Sequence, residues 1–156
     1  MGVLSGSLDI VSTPEAAFEL VCSVEKWPVW LAFLRSAELV DPSAPLGLGS
    51  EVRVRSALPG AAEELYEVDM FIANHHLSLV GAYSVRRRID VRIERKTARS
   101  RIRVRVEYPA YHGRLGSLYD RLTSGRKLGA QLGDSLAHFK GLVEFDRRKD
   151  ALLADF

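Results

Sequence analysis

The amino-acid sequence predicts an α+β fold in which a curved antiparallel sheet wraps around one long C-terminal helix. Apolar and polar residues alternate with period two through most of residues 51–108, which is typical of strands with one buried face. The breaks between these strands are short enough for hairpins, so neighbouring strands are expected to be antiparallel. Apolar residues then recur at helical spacing from Leu118 to Val143, and this helix is expected to cover the apolar face of the sheet.

The N-terminal part of the chain predicts a strand and then a helix. Residues 4–11 alternate between apolar and polar side chains, which predicts a first strand. Ser12 and Thr13 offer a hydroxyl for a helix N-cap, and Pro14 suits the first turn because its missing N–H would be unpaired there anyway. We therefore expect a short helix over about residues 14–23.

A second short helix and a further strand are expected before the main sheet. Residues 27–30, Trp-Pro-Val-Trp, contain a proline that should interrupt the first helix, and the second helix is expected to run through residues 33–35. A short strand near residues 37–40 then precedes a loop over residues 41–49, which is rich in proline and glycine. Together with the strands of residues 51–108, this gives a sheet of about six or seven strands.

Length and composition favour one compact domain over residues 1–156. Of these residues 47% are hydrophobic and 27% are charged, which is enough for a core in a chain too short for two ordinary domains. The one cysteine, Cys22, excludes an internal disulfide and a Cys-rich metal site, and it fits a reducing compartment. No secretion signal or membrane-spanning stretch is recognisable, so the cytoplasm is the expected location.

The inward face of the predicted strands carries no group that is ionisable near pH 7. Its positions, read from the alternation, are Val52, Val54, Tyr66, Val68, Met70, Leu77, Leu79, Tyr83, Ile89, Val91, Ile93, Ile102, Val104, Val106 and Tyr108. General acid–base catalysis needs a side chain with a pKa near the working pH, so this face is more typical of a container. A solid core fits the same residue types. Gly125 and Gly129 in the helical stripe indicate either a close approach of the sheet or room for a ligand.

The expected site is therefore a hydrophobic pocket between the sheet and the C-terminal helix, with a small apolar molecule as partner. No metal, no organic cofactor and no catalytic residue is assigned to it. The side chains expected to contact the ligand are Trp30, Val54, Tyr66, Met70, Leu79, Tyr83, Val91, Val104, Tyr108, Leu132, Leu136 and Phe139. Trp27 and Trp30 are expected to pack as a corner, and Trp30 can also form a wall of the pocket.

The other polar residues of the sequence give less support for a specific binding or catalytic site. His75 and His76 are adjacent at a strand turn, so their side chains point to opposite faces and do not suggest a shared metal. Tyr108, Tyr111 and His112 precede the long helix, where they can hydrogen-bond a ligand at the pocket entrance. Cys22 has no neighbouring cation to stabilise a thiolate and is not proposed as a nucleophile.

Basic residues cluster between Arg86 and Arg105. This stretch contains nine arginines and Lys96 but only two acidic residues, Asp90 and Glu94. Most of the basic residues alternate with apolar residues, so they are expected on the outer face of the sheet, in ion pairs with acidic residues of the neighbouring strands. The expected partners are Glu51, Glu63, Glu64, Glu67 and Asp69. Nucleic-acid binding is disfavoured, because a stacking surface needs aromatic residues and only Phe71 is expected there.

Several short segments occur in an order that is shared with a known superfamily. They are Ser12 to Phe18, Trp27 to Trp30, Leu48 to Val52, and Gly113 to Gly116 followed by Leu136, Phe139 and Lys140. In this order they resemble the START-like, or SRPBCC, superfamily, and within it the polyketide cyclase/dehydrase-like sequences. The resemblance covers nearly the whole chain and implies a helix-grip fold. It also implies a hydrophobic cavity but not a reaction, because the superfamily includes lipid carriers, receptors and aromatases.

Two other functions stay open at this point. A polyketide cyclase or aromatase would need an ionisable group inside the pocket, for which Arg53, Asp69, His76 and His112 are the candidates. An interaction module would have a filled core and would use the Arg-rich outer face of the sheet. The sequence also leaves a homodimer open.

Overall fold

The computed structural model describes residues 2–32, 34–56, 63–82, 84–108 and 125–154. The helical elements are α1 (Pro14–Cys22), a 3₁₀ turn (Val24–Lys26), α2 (Trp27–Trp30) and α3 (Gly125–Ala154). The strands are β1 (Gly2–Ile10), β2 (Leu34–Leu39), β3 (Glu51–Ser56), β4 (Glu63–Ile72), β5 (His76–Gly81), β6 (Ser84–Arg95) and β7 (Ser100–Tyr108).

The seven strands form one antiparallel sheet in the order β1-β7-β6-β5-β4-β3-β2. Strands β2 to β7 follow one another as a meander, and β1 pairs with β7 at the far edge. The sheet is curled, with the long helix after it and two short helices after the first strand, so the predicted α+β architecture is confirmed. The single-domain organisation of residues 1–156 and the cytoplasmic location stay predictions.

Helix α1 begins where the sequence predicted. The Thr13 hydroxyl accepts a hydrogen bond from the Ala16 N–H at 3.2 Å, and Pro14 occupies the first turn. This cap satisfies one of the backbone donors that have no partner within the helix. The inner face of α1 buries Phe18 and Val21 against the sheet.

The prediction for the second helix is wrong in its position. Residues 27–30 form α2 itself instead of interrupting a helix, and Leu34 and Arg35 already belong to β2. Pro28 lies in the first turn of α2, where a missing N–H removes no hydrogen bond, so the proline starts a helix here. The expected strand near residues 37–40 is present as the second half of β2.

The turns between strands follow the sequence where they are described. Asn74 adopts a positive φ of 63° between β4 and β5, which asparagine tolerates better than most residues. Lys96 and Arg99 exchange backbone hydrogen bonds at the β6–β7 hairpin. The predicted break at residues 58–60 lies outside the described residues.

Helix α3 presents one apolar stripe to the sheet. Leu132, Leu136, Phe139 and Val143 are all buried, at the predicted spacings of 4, 3 and 4 residues. The helix lies closest to β1 and α2. Gly6 of β1 lies under it, since a Cβ there would be 3.0 Å from Leu136 Cδ1.

Two hydrogen bonds also hold α3 to the N-terminal part of the chain. The buried Ser135 hydroxyl accepts from the Ala32 N–H at 2.8 Å, directly after α2. Nine residues further along α3, the Glu144 carboxylate accepts from the Val11 N–H at 3.2 Å, directly after β1. These bonds fix the position of α3 along the sheet. None of the helices in the described ranges is long and apolar enough to cross a membrane.

The solvent-facing side of α3 offers a test of its helical geometry. A Cβ added at Gly133 would have no atom within 4 Å, so Gly133→Ala should raise the free energy of unfolding by about 0.5–1 kcal/mol. Gly49 is equally open but has a φ of +84°, so Gly49→Ala should lower it by about 1–2 kcal/mol. Urea denaturation of both variants measures the difference, and a stability loss in Gly133→Ala would contradict a helix at this position.

Candidate ligand-binding site

The concave face of the sheet is lined by apolar side chains. Nine of the side chains expected to contact a ligand lie in one buried core cluster: Trp30, Val54, Tyr66, Leu79, Val91, Val104, Leu132, Leu136 and Phe139. Their role as ligand contacts stays a prediction. Tyr83, the Tyr108 side chain, Tyr111 and His112 lie outside the described residues, as do the surroundings of Gly125 and Gly129.

Helix α3 alone is narrower than this face, yet side chains in the middle of the sheet are buried, with Leu79 1% and Val91 4% exposed, so other parts of the chain also cover it. Seven strands spaced about 4.8 Å apart span roughly 30 Å, whereas a helix with its side chains is about 10–12 Å wide. Helix α1 covers the end of the sheet where β4 finishes. The contact is between the rings of Phe18 and Phe71, which pack edge to face with their centroids 5.5 Å apart. The opposite end, where β3 and β7 finish and β4 and β6 begin, is called the open end here with respect to the described residues only. Residues 57–62, 83 and 109–124, which follow strands at this end, lie outside the described ranges.

The prediction that Met70 faces inward is wrong. The register between β4 and β5 shifts between Val68 and Met70, which marks a β-bulge. One extra residue in a strand exchanges the two faces for everything that follows. Met70 is therefore 42% exposed, Ile72 is exposed as well, and Phe71 turns inward onto α1 instead of lying on the outer face.

The concave face does carry ionisable groups, contrary to the prediction. Glu64 lies two residues before the buried Tyr66 and opposite the buried Val54, which places it on the concave face and not among the outer acidic residues. The register between β5 and β6 shifts between Arg88 and Ser84, so alternation alone does not place Arg87, but its ion pair with Glu64 puts its side chain on the same face. Extending the alternation one step toward the start of β4 would have found Glu64.

Glu64, Tyr66 and Arg87 form one hydrogen-bonded group at the open end, which we call the polar trio. Arg87 forms an ion pair with Glu64, and the Tyr66 hydroxyl donates to Glu64 Oε2 at 3.1 Å. Glu64 lies on β4 and Arg87 on β6, so the ion pair spans two strand spacings. The intervening strand, β5, ends at Gly81, which has no side chain to block the contact. The side chains of Arg87 and Glu64 are 41% and 32% exposed, so both remain accessible to a ligand.

Burial fixes the protonation state of Tyr66. Most of the Tyr66 side chain is buried, so its anion would be poorly solvated, and this burial raises the pKa of Tyr66 to about 12. Tyr66 therefore stays neutral and donates a hydrogen bond to Glu64. Burial in the same way raises the pKa of the Cys22 thiol to about 11, which disfavours a reactive thiolate.

The two tryptophans differ in their hydrogen bonds. Trp27 Nε1 donates to the Val21 carbonyl oxygen at 2.7 Å, which satisfies the buried indole and fits the expected packed corner. Trp30 packs its ring edge to face with Phe139 at 4.8 Å, and only 1% of it is exposed. Its Nε1 has no hydrogen-bond partner. It is the only buried side-chain polar atom in the described part of the chain of which this is true.

The candidates for an enzymatic site that are described lie on the outer face. Arg53 pairs with Glu38 at 2.9 Å, and Asp69 pairs with Arg88 at 2.7 Å. His76 Nε2 lies 2.6 Å from Asp90, also on the convex side. His112 lies outside the described residues. Among the described residues, no group of three or more His, Cys, Asp or Glu side chains is arranged to hold a metal ion.

Most of the described outer arginines are held in ion pairs within the fold. Of the expected partners, Asp69 pairs with Arg88 of the cluster, whereas Glu63 pairs with Arg53 and Arg55 of β3. Other partners come from α1, β1, β6 and β7. Further pairs include Arg101 with Asp9, Arg103 with Glu94, and Arg105 with Glu107. A shallow groove on this face is lined by arginines and carboxylates together. The mixture of signs leaves little free positive charge for a polyanion.

Comparison with known proteins gives the fold. No family model and no curated protein matches the sequence. Among solved structures, a protein from Thermus thermophilus has a TM-score of 0.74 at 15% identity, over 93% of this chain and 99% of that one. The Zhui aromatase/cyclase from a Streptomyces species has a TM-score of 0.73 at 11% identity, over 92% and 93% of the two chains.

A START superfamily protein from Mycobacterium smegmatis has a TM-score of 0.67 at 15% identity, over 91% of this chain and 97% of that one. This chain has the START-like fold. The resemblance that the sequence segments indicated is thereby confirmed at the level of the fold. Identities this low do not extend the likeness to substrate or reaction, so the START-like fold leaves function to the residues of the concave face.

Proposed function

We propose that this protein binds a hydrophobic or aromatic small molecule of lipid or polyketide type between the concave face and α3. The polar trio is the observation that carries the proposal. An apolar surface that ends in an accessible ion pair suits a molecule with an apolar body and one polar end. The START-like fold supports the proposal, since similar structures include a protein described as an aromatase/cyclase.

The chemistry of the polar trio defines the polar end of the ligand. The Arg87 guanidinium supplies hydrogen-bond donors in a fixed planar arrangement, and the Glu64 carboxylate supplies acceptors. A hydroxyl group can use both, whereas an anionic group competes with Glu64 for Arg87. The ligand is therefore expected to enter with its apolar body first and to leave its polar end at the open end of the sheet.

Fluorescence titration with 1-anilinonaphthalene-8-sulfonate tests the proposal, because this probe joins apolar rings to one anionic group. Arg87→Met should weaken its binding about tenfold by removing a charge-assisted hydrogen bond. Glu64→Gln should strengthen binding, since it removes the competing carboxylate. Arg103→Met on the outer face is the matched control and should leave binding unchanged.

Two results would contradict the proposal. Equal weakening in Arg87→Met and Arg103→Met would place the probe on the Arg-rich outer face. No enhancement of fluorescence with the wild-type protein would mean that the concave face does not admit a molecule of this size.

A polyketide cyclase is the second candidate function, because the polar trio places an ionisable pair on the concave face. In this case Glu64 would accept a proton from a methylene group of a bound polyketone, and the resulting carbanion would attack a carbonyl carbon of the same molecule. Glu64 would return the proton to the carbonyl oxygen, which then leaves as water with a second hydrogen from the methylene carbon. A linear triketone that aromatises in this way is a direct substrate probe. Turnover that Glu64→Gln abolishes, with binding retained, would favour the enzyme over the carrier.

A further inference from the structure

The unpartnered indole of Trp30 is the most unusual polar group in the described interior. Buried N–H groups nearly always have a partner, because removing a donor from water without replacing its hydrogen bond is unfavourable. Trp30 Nε1 has none, although the residue is almost completely buried. The indole N–H can only donate, so whatever satisfies it must present an acceptor.

The surroundings of Trp30 do not offer that acceptor among the described residues. The ring packs against Phe139 on α3, and the adjacent α3 positions that face the sheet are apolar. Ser135 is a buried hydroxyl residue one turn before Phe139 on α3, and its hydroxyl already accepts from the Ala32 N–H. Trp27, three residues earlier, shows that this segment can satisfy an indole with a backbone carbonyl. The unpaired donor is therefore a property of the packing around Trp30 and not of this segment in general.

We propose that Trp30 Nε1 donates a hydrogen bond to an oxygen acceptor of the bound ligand, and that the ligand is a rigid, mostly apolar molecule bearing a carbonyl group. This inference rests on the proposed function and adds the second contact point of the ligand. The polar trio holds the polar end at the open end, and Trp30 binds the carbonyl oxygen in the interior. A site of this kind discriminates against a hydrocarbon of the same shape, which leaves the donor unpaired.

Fluorenone and fluorene form a matched probe pair, since the two planar molecules differ only by a carbonyl in place of a methylene group. Wild-type protein should bind fluorenone about tenfold more tightly than fluorene. Trp30→Phe should abolish this preference and leave fluorene binding within about twofold, because the ring remains but the donor is lost. In proton–nitrogen NMR spectra, fluorenone should shift the Trp30 indole signal downfield and leave the Trp27 signal unchanged. The spectrum of Trp30→Phe assigns the two signals.

The outcomes separate this inference from the proposed function. If neither probe binds the wild-type protein, both the inference and the hydrophobic-ligand proposal are overturned. If both probes bind equally and the Trp30 signal does not move, the protein binds apolar molecules but Trp30 does not select them. A Trp30 indole proton that contacts a buried water both with and without fluorenone also overturns the inference. The NMR measurement decides the matter even if Trp30→Phe is too unstable for titration.

Discussion

Replacing Phe139 by alanine should lower the free energy of unfolding by about 3–5 kcal/mol. Phe139 is fully buried at the centre of the α3 stripe and packs edge to face against Trp30. Truncation removes the apolar surface that the ring buries and leaves a cavity that the surrounding strands cannot fill without moving. The aromatic pair itself adds about 0.5–1.5 kcal/mol beyond burial. Urea denaturation followed by circular dichroism measures the change.

Phe145→Ala on the same helix is the matched control. Phe145 lies six positions further along α3 and is 65% exposed, so its truncation should change stability by less than about 0.5 kcal/mol. If the two variants lost similar stability, the buried stripe of α3 would not be the one that the structure assigns.

Phe139 also lies next to the proposed Trp30 contact, so Phe139→Ala should admit bulkier fluorenone derivatives than the wild-type protein does.

The sheet and the helix stripe were predictable from sequence because burial of one face imposes a period. Strand residues such as Val52 and Val54 are buried at alternate positions, which the sequence displays directly. Leu132, Leu136 and Phe139 repeat at helical spacing for the same reason. Where an element has one face toward solvent and one toward the core, and keeps a regular register, the pattern of residue types is sufficient.

The errors arise where that pattern is ambiguous. Met70, Phe71 and Ile72 are three consecutive apolar residues, so nothing in the sequence shows that a bulge turns Phe71 inward. Pro28 is compatible with either the interruption or the first turn of a helix, and the outcome depends on how α2 packs against α3. In both cases tertiary contacts decide between local structures of similar energy.

The polar trio was missed for a different reason. Glu64 and Arg87 belong to strands that are not neighbours, so their contact depends on β5 ending at Gly81 between them. Charged residues near the ends of strands were assigned to the outer face, which is the more common situation. The missing partner of Trp30 could not be predicted at all, because satisfaction of an indole is a property of the packed interior.

Replacing Gly6 by valine should lower the free energy of unfolding by about 2–3 kcal/mol, because the new side chain overlaps α3. A Cβ at Gly6 would already lie 3.0 Å from Leu136 Cδ1 and 3.5 Å from Leu132 Cδ2, and the valine methyl groups extend further toward the helix. The intrinsic preference of valine for strands acts in the opposite direction by less than about 1 kcal/mol. The close packing of α3 on β1 therefore determines the sign.

Ser7→Val is the matched control, since Ser7 lies next to Gly6 on β1 but faces outward. It should leave stability unchanged or raise it slightly, by the strand preference alone. The double variant Gly6→Val with Leu136→Ala should be more stable than the sum of the two single losses implies, because the smaller residue makes room for the larger one. Additive losses in this cycle would show that α3 does not rest on β1 at Gly6. A positive coupling would show that α3 rests on β1 at Gly6, as the short distance to Leu136 indicates.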